Sequence, residues 1–320
     1  MFLLTVAAAA ADCDCTVSLT PDDNFFDAAE LDPGSRICLE AGRYSRLKIK
    51  GIRGSAEAPI TVENCGGRVE IGEAGSRYGM ALDDSRHVVV SGGGDPALPY
   101  GILIDETEGV GLSFSKRSTA FAVHQIEITG SGFAGLMAKT DNAADWRMAD
   151  VEISDCYIHD VAAEGMYIGQ TKSPGHPIEG LYIHHNIIAR TGWDLLQLAH
   201  ARADVEVAHN LLLDGGLSDR KHHNNGLQIG DNTTGHYHHN TLIHSHGNAL
   251  IVLGSGDIRI DDNHIHSGGE RAFFIDDRLS AGSAPIVITD NVILTAGPAF
   301  TNRNDVTPVH TEGNTVVVLD

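Results

Sequence analysis

Basic residues are scarce in this chain. Its 320 residues hold 22 Lys and Arg against 43 Asp and Glu, a formal charge of −21. Such a surface repels nucleic acid and anionic membranes, so neither is expected as a partner; a polyanionic ligand would need local cations or a metal ion to offset the field. Long apolar runs are lacking as well, and beyond the N-terminus none is long enough to span a membrane. The short run Phe2 to Ala11, in MFLLTVAAAAADC, ends in Ala9, Ala10 and Ala11. It has the form of a secretory h-region and small-residue cleavage site, so residues 1–11 are expected to be a signal peptide and the mature chain to begin near Asp12. No Lys or Arg precedes the run, which fits a truncated start; a buried first strand or helix is the other reading.

Cysteine is also sparse: Cys13, Cys15, Cys38, Cys65 and Cys156. No accompanying Cys/His set has zinc-site spacing, so Cys13-Asp14-Cys15 is not read as a metal site. In an exported protein disulfides are permitted, and the odd count leaves one thiol over. Cys38 and Cys65 lie in neighbouring strand-like segments, RICLEAG and ITVENCGG, and are expected to pair. Aromatics are few, whereas glycine is abundant at 36 residues.

What is present in quantity is a repeat. LYIHHNIIART, VEVAHNLLLDG, HYHHNTLIHS, IRIDDNHIHSG and IVITDNVILTAG each place an asparagine between two apolar strands. Asn186, Asn210, Asn240, Asn263, Asn291 and Asn314 follow one another at 24, 30, 23, 28 and 23 residues, and Cys156 fits the same column upstream. A third strand recurs with centres at Tyr167, Gln197, Gln228, Ile251 and Phe274, spaced 30, 31, 23 and 23. Strand alternation turns Met166 and Ile168 inward and Tyr167 outward, and likewise around Gln197 and Gln228. Three short strands per unit of about 23 residues describe a parallel β-helix of about ten rungs. Asparagine suits such a turn because it tolerates left-handed backbone and its amide bonds locally and from rung to rung. His185, His209 and His239, just before it, are read as polar turn residues flanking the ladder. Ahead of the repeat, Asn24 reads as the N-cap of a short helix, Phe25 to Leu31, stopped by Asp32-Pro33-Gly34, which would close the open end of the solenoid. The organisation expected is thus a cap with the first rungs over 12–60 and a β-helix domain over 61–320.

The three-strand rung with an asparagine ladder resembles the pectate-lyase-like right-handed parallel β-helix superfamily, over roughly residues 60 to 320. The resemblance implies an all-β, single-stranded, right-handed solenoid and a secreted or periplasmic bacterial protein acting on polysaccharides. It does not imply a reaction, since lyases, hydrolases, epimerases and phage tailspikes share the fold. The signature motifs of pectate lyases and polygalacturonases are absent.

Insertions in a solenoid map to loops on a binding face. Two rungs run long, through Gly169 to Gly180 and Asp214 to Asn225, at opposite edges of one strand row. They are expected to wall a groove floored by Tyr167, Gln197 and Gln228, whose amides and ring suit sugars. His222 and Asn225 would stand on its rim, Trp193 would stack on a sugar ring, and His200, Arg202 and Asp231 would line the strand exits. Glu164 and Asp194 share a column on adjacent rungs, about 4.8 Å apart. Such a pair splits its pKa values into an acid and a base or nucleophile, as a glycoside hydrolase needs. Alternatively it holds Ca²⁺ against a uronate while Lys172, His223, Lys221 or Arg202 moves protons in β-elimination, as in a polysaccharide lyase. The remaining reading is that both carboxylates only bond turn amides. A uronan epimerase and a non-catalytic glycan-binding module are the further alternatives, and a monomer is expected. Asp276, Asp277 and Arg278 form a third polar cluster that would either extend the groove or make an ion pair at a turn.

Overall fold

A computed structural model of the chain describes residues 13–171, 175–218, 220–254, 256–277 and 282–319. The proposed signal segment, Lys172 and Arg278 lie outside the described residues. Among the described residues no helix is long and apolar enough to cross a membrane.

Every strand pairing is parallel between neighbours one rung apart, as an all-β solenoid requires. A representative rung runs Met148–Ser154, Tyr157–Val161 and Met166–Ile168; the next runs Ile178–His184, Ile187–Thr191 and Leu196–Leu198. The third strands stack into an eleven-stranded sheet, and the first two strands of the rungs form the rest of the tube. The register read from the repeat holds: Tyr167 pairs with Gln197, Gln197 with Gln228, Gln228 with Ile251, and Ile251 with Phe274.

The inward side chains form continuous columns. Ile158, Ile188, Leu212, Leu242, Ile265 and Ile293 are all buried. Each such side chain taken from water contributes roughly 1.5–3 kcal/mol, and stacking identical shapes rung on rung leaves few voids.

The corner between the first two strands carries the asparagine ladder. The backbone N–H of Cys156 donates to Asn186 Oδ1 (3.1 Å), that of Asn186 to Asn210 Oδ1 (3.1 Å), and that of Asn210 to Asn240 Oδ1 (3.0 Å). Asn240, Asn263 and Asn291 continue it to Asn314 at 2.9 to 3.0 Å. From Asn186 to Asn291 each Nδ2 also donates to the next Oδ1 and to two carbonyls, so four polar groups are satisfied per corner. The left-handed residue is not the asparagine but the one before it: Asp155, His185, His209, His239, Asp262 and Asp290 have φ between 54° and 58°. The asparagine is thereby free to bond across rungs.

Earlier rungs are fastened differently. Ser85 and Ser118 make a short hydroxyl ladder, the N–H of Ser85 donating to Ser118 Oγ (3.1 Å). At the first rungs the links are covalent, and they differ from the sequence expectation: Cys13 bonds Cys65, and Cys15 bonds Cys38, with Cα separations of 6.1 and 5.7 Å. Cys38 and Cys65 are in neighbouring strands but out of register, since Cys38 faces Glu63 and Cys65 faces Glu40. Cys156 is the free, buried thiol. The capping helix is also corrected. Phe25–Asp27 is a strand, the first of the eleven-stranded sheet, pairing Phe25 with Lys48. A seven-residue helix has too few internal bonds to compete with a sheet edge that supplies partners.

Candidate functional site

The column Glu164, Asp194 and Asn225 at the entrance of the third strands is real and continues further. Asn225 donates its backbone N–H (2.7 Å) and its Nδ2 (2.9 Å) to Asp194 Oδ1. Asn248 Nδ2 donates to Asn225 Oδ1 (2.8 Å), and Arg271 Nη1 to Asn248 Oδ1 (3.3 Å). This is a second ladder, of opposite polarity to the first: each later rung donates to the earlier one. Asp194 is its terminal acceptor, and Glu164 stands on the rung before.

Both carboxyls are buried, and Glu164 Oε2 and Asp194 Oδ2 have no hydrogen-bond partner among the described residues. Burial pushes Glu164 up to about 7, against the smaller pull of Arg220 and Lys139. Burial also pushes Asp194 up to about 7, with the Glu164 charge adding to it and the bonds from Asn225 opposing it. Burial therefore favours the protonated form of both carboxyls. As a Ca²⁺ site it fits poorly. It aims two free oxygens, whereas Ca²⁺ takes about six to eight, and Asp194 Oδ1 is already committed.

At Tyr167 the floor is covered by neighbouring side chains. Tyr167 bonds Thr171 through its hydroxyl (2.8 Å), carries the Lys139 ammonium over its ring and meets the edge of Phe133. Trp193, expected to stack on a sugar, instead holds the Arg220 guanidinium 3.7 Å from its ring centre, with Phe133 and His223 alongside. His223 is half-buried with Nδ1 unpartnered among the described residues, and burial, then Arg220, lowers its pKa. Gln228 Nε2 donates to Gln197 Oε1 (3.1 Å), extending the amide theme onto the floor. At the exits His200 is buried with Nε2 unpartnered among the described residues. Its pKa is lowered by burial against the pull of Asp231, whose Oδ1 is likewise buried and unpartnered; Arg202 is exposed.

The floor opens further along the same strand row. A cleft of about 720 Å³ lies over Gln228, Ile251 and Phe274. Lys221, His222, Asn224 and Asn225 form one rim, and Asn248, Glu270, Arg271 and Arg303 complete it. Arg271 and Arg303 flank the Phe274 ring at 5.4 and 5.2 Å, and Arg271 pairs with Glu270 (2.5 Å). Of the expected residues, Lys221, His222, Asn225 and Gln228 meet here. Glu164 and Asp194 are buried beside it, on the rungs where Trp193 meets Arg220 and His223. Asn248, Glu270, Arg271 and Arg303 were missed, although extending the Glu164 column by the 23-residue period lands on Asn248 and Arg271. Asp277 does not line the cleft: its carboxylate accepts from the backbone N–H groups of Asp305, Val306 and Thr307 and shapes that turn, while the expected partner Arg278 lies outside the described residues.

Comparison with known proteins places this architecture. No curated protein matches the chain. Among solved structures it is similar to a GH136 lacto-N-biosidase from Eubacterium ramulus, at 12% identity and a TM-score of 0.63, covering 95% of this chain and 68% of that one. It is also similar to an alginate lyase from Paenibacillus sp. str. FPU-7, at 13% identity and a TM-score of 0.54, covering 94% and 100%. At such identities the likeness is one of fold. The family described as the right handed beta helix region matches residues 100–316, well over half the chain, with its three-strand rungs and asparagine corners, and the chain belongs to that family.

Proposed function

We propose that this protein is an exported carbohydrate-active enzyme that binds a uronate-containing polysaccharide in the cleft over Gln228, Ile251 and Phe274 and cleaves it by β-elimination. One observation carries the reading: a protein of formal charge −21 gathers Lys221, Arg271 and Arg303 on one cleft against the single carboxylate of Glu270, which pairs with Arg271. Cations concentrated against the overall charge mark an anionic ligand, and the amides of Asn224, Asn225 and Gln228 suit sugar hydroxyls. The fold likeness to an alginate lyase agrees, and the two disulfides suit an exported, secreted or periplasmic chain.

In this mechanism Arg271 and Arg303 hold the uronate carboxylate and so acidify the adjoining C5–H. His222, on the rim, takes that proton. The C5–H electrons form the C4–C5 double bond, the C4–O bond breaks, and Lys221 protonates the departing oxygen. The products are a new reducing end and an unsaturated uronide.

The second reading is a glycoside hydrolase centred on Glu164 and Asp194. It is favoured by the carboxyl pair poised near 7 and by the fold likeness to a lacto-N-biosidase. It requires the Trp193–Arg220 cover to swing away, which the open cleft does not. A panel of polyuronates and neutral glycans, assayed for reducing ends and for ultraviolet absorbance, separates the readings. Both signals on a polyuronate support the lyase. Reducing ends without absorbance assign hydrolysis. Inversion at C5 without cleavage would identify an epimerase, and binding without turnover a non-catalytic module; either outcome refutes the lyase.

A further inference from the structure

The asparagine corner carries a histidine cluster that the proposed chemistry does not use. Three successive rungs place His185, His209 and His239 in the left-handed position, at φ 54° to 57°. Their rings stack in a column with centres 5.0 Å apart at each step. His238 joins from the side, its Nδ1 2.8 Å from Nδ1 of His239, and its Nε2 lies 3.4 Å from a Glu206 oxygen.

The corner does not demand histidine. The same position is aspartate in the rungs of Asp155, Asp262 and Asp290, at the same φ. Histidine therefore brings something other than backbone fit. His209, His238 and His239 each offer a ring nitrogen, and these lie within 4.8 Å of one another. Nitrogens bound to one zinc at about 2.0–2.1 Å stand roughly 3.3 Å apart, so small ring rotations bring the three together. A carboxylate beside an imidazole, as Glu206 is beside His238, is the common outer partner of a ligating histidine. The acidic surface raises the local concentration of cations.

We propose that His209, His238 and His239 bind one divalent transition-metal ion of the nickel–copper–zinc group, with solvent completing the coordination, so that the ion clips two adjacent rungs together. Imidazole suits these metals, and calcium or magnesium would prefer oxygen.

The test uses the full chain without a histidine tag, stripped with chelator and titrated with zinc chloride by calorimetry. One saturable site per chain is expected, with a raised melting temperature on saturation. His209→Asn and His239→Asn should each weaken zinc binding at least tenfold. Asparagine accepts the left-handed backbone, so both variants should fold, which their metal-free melting temperatures check. His87→Asn, at a left-handed position on another part of the surface, should leave zinc affinity unchanged. Absence of saturable binding overturns the proposal, as does binding that both corner variants retain.

Discussion

Replacing Asp194 by asparagine separates the structural from the chemical role of the buried carboxyl pair. The amide keeps an oxygen where Asn225 donates its two bonds, at 2.7 and 2.9 Å, and removes the charge. Asp194 is held at about 7 rather than 3.8. At about 1.4 kcal/mol per pKa unit, ionising it in the folded protein costs roughly 4 kcal/mol relative to the unfolded chain. Glu164 shares that penalty and the charge-assisted bonds from Asn225 are lost, so a net gain of about 1–3 kcal/mol is expected for Asp194→Asn above neutrality. The sign follows from the direction of the shift. Both carboxyls have folded pKa values above their unfolded ones. Their contribution is fully present below about pH 4 and lost as pH rises through about 7. The lowered histidines His176, His200, His209, His223 and His238 act oppositely, contributing above 6.5 and losing it as pH falls. Only the difference between variant and wild type isolates the pair. Urea unfolding of both proteins at pH 5 and pH 8 should show the variant gaining on the wild type by about 1–3 kcal/mol at the higher pH. A difference that does not change with pH would refute the reasoning. Activity of the folded variant then decides the role: its loss marks a reacting group, its persistence the end of a ladder.

Asn210→Ala removes donors to Ile183 O, Ala208 O and Asn240 Oδ1 and the acceptor of Asn186. At about 1–3 kcal/mol per stranded buried group, a loss of about 3 kcal/mol or more is expected, and an unchanged melting temperature would contradict it. Peptide mapping without reductant should recover Cys13 joined to Cys65 and Cys15 to Cys38; a Cys38–Cys65 peptide would refute the pairing. Arg271→Ala and Arg303→Ala should each weaken polyuronate binding by tenfold or more, increasingly so at low salt. Equal binding by wild type and both variants would move the substrate elsewhere.

The solenoid was legible because its physics repeats. One corner needs one amide, so Asn186 to Asn314 recur in column, and one interior needs one shape, so the strand centres recur with them. The misreadings fall where nothing repeats. Phe25 to Asp27 reads locally as the start of a helix, and only the distant partner Leu47–Lys50 makes it a strand. The pairing of Cys38 depended on a register two residues off, which strand adjacency alone does not reveal. The site was half legible. Glu164, Asp194 and Asn225 share a face by period alone, but what covers them does not follow from it. Arg220 reaches Trp193 from a loop, and loop paths have no period to read. The open cleft shares Gln228 with the polar floor and runs on over Ile251 and Phe274, because covering, not polarity, decides where a ligand can enter.

The asparagine corner and the disulfides have a consequence for how the molecule is made. Along the asparagine column the backbone N–H at each corner is satisfied only by the oxygen of the following rung, so a growing stack always ends in an unmet N–H group until the next turn is laid down. The disulfides at 13–65 and 15–38 have no such dependence on what comes later. A chain emerging N-terminus first can therefore seal its first coils by oxidation and wind the remainder onto them in order, each coil completing its predecessor. Under denaturant the coils joined by the disulfides should persist until a reductant opens them.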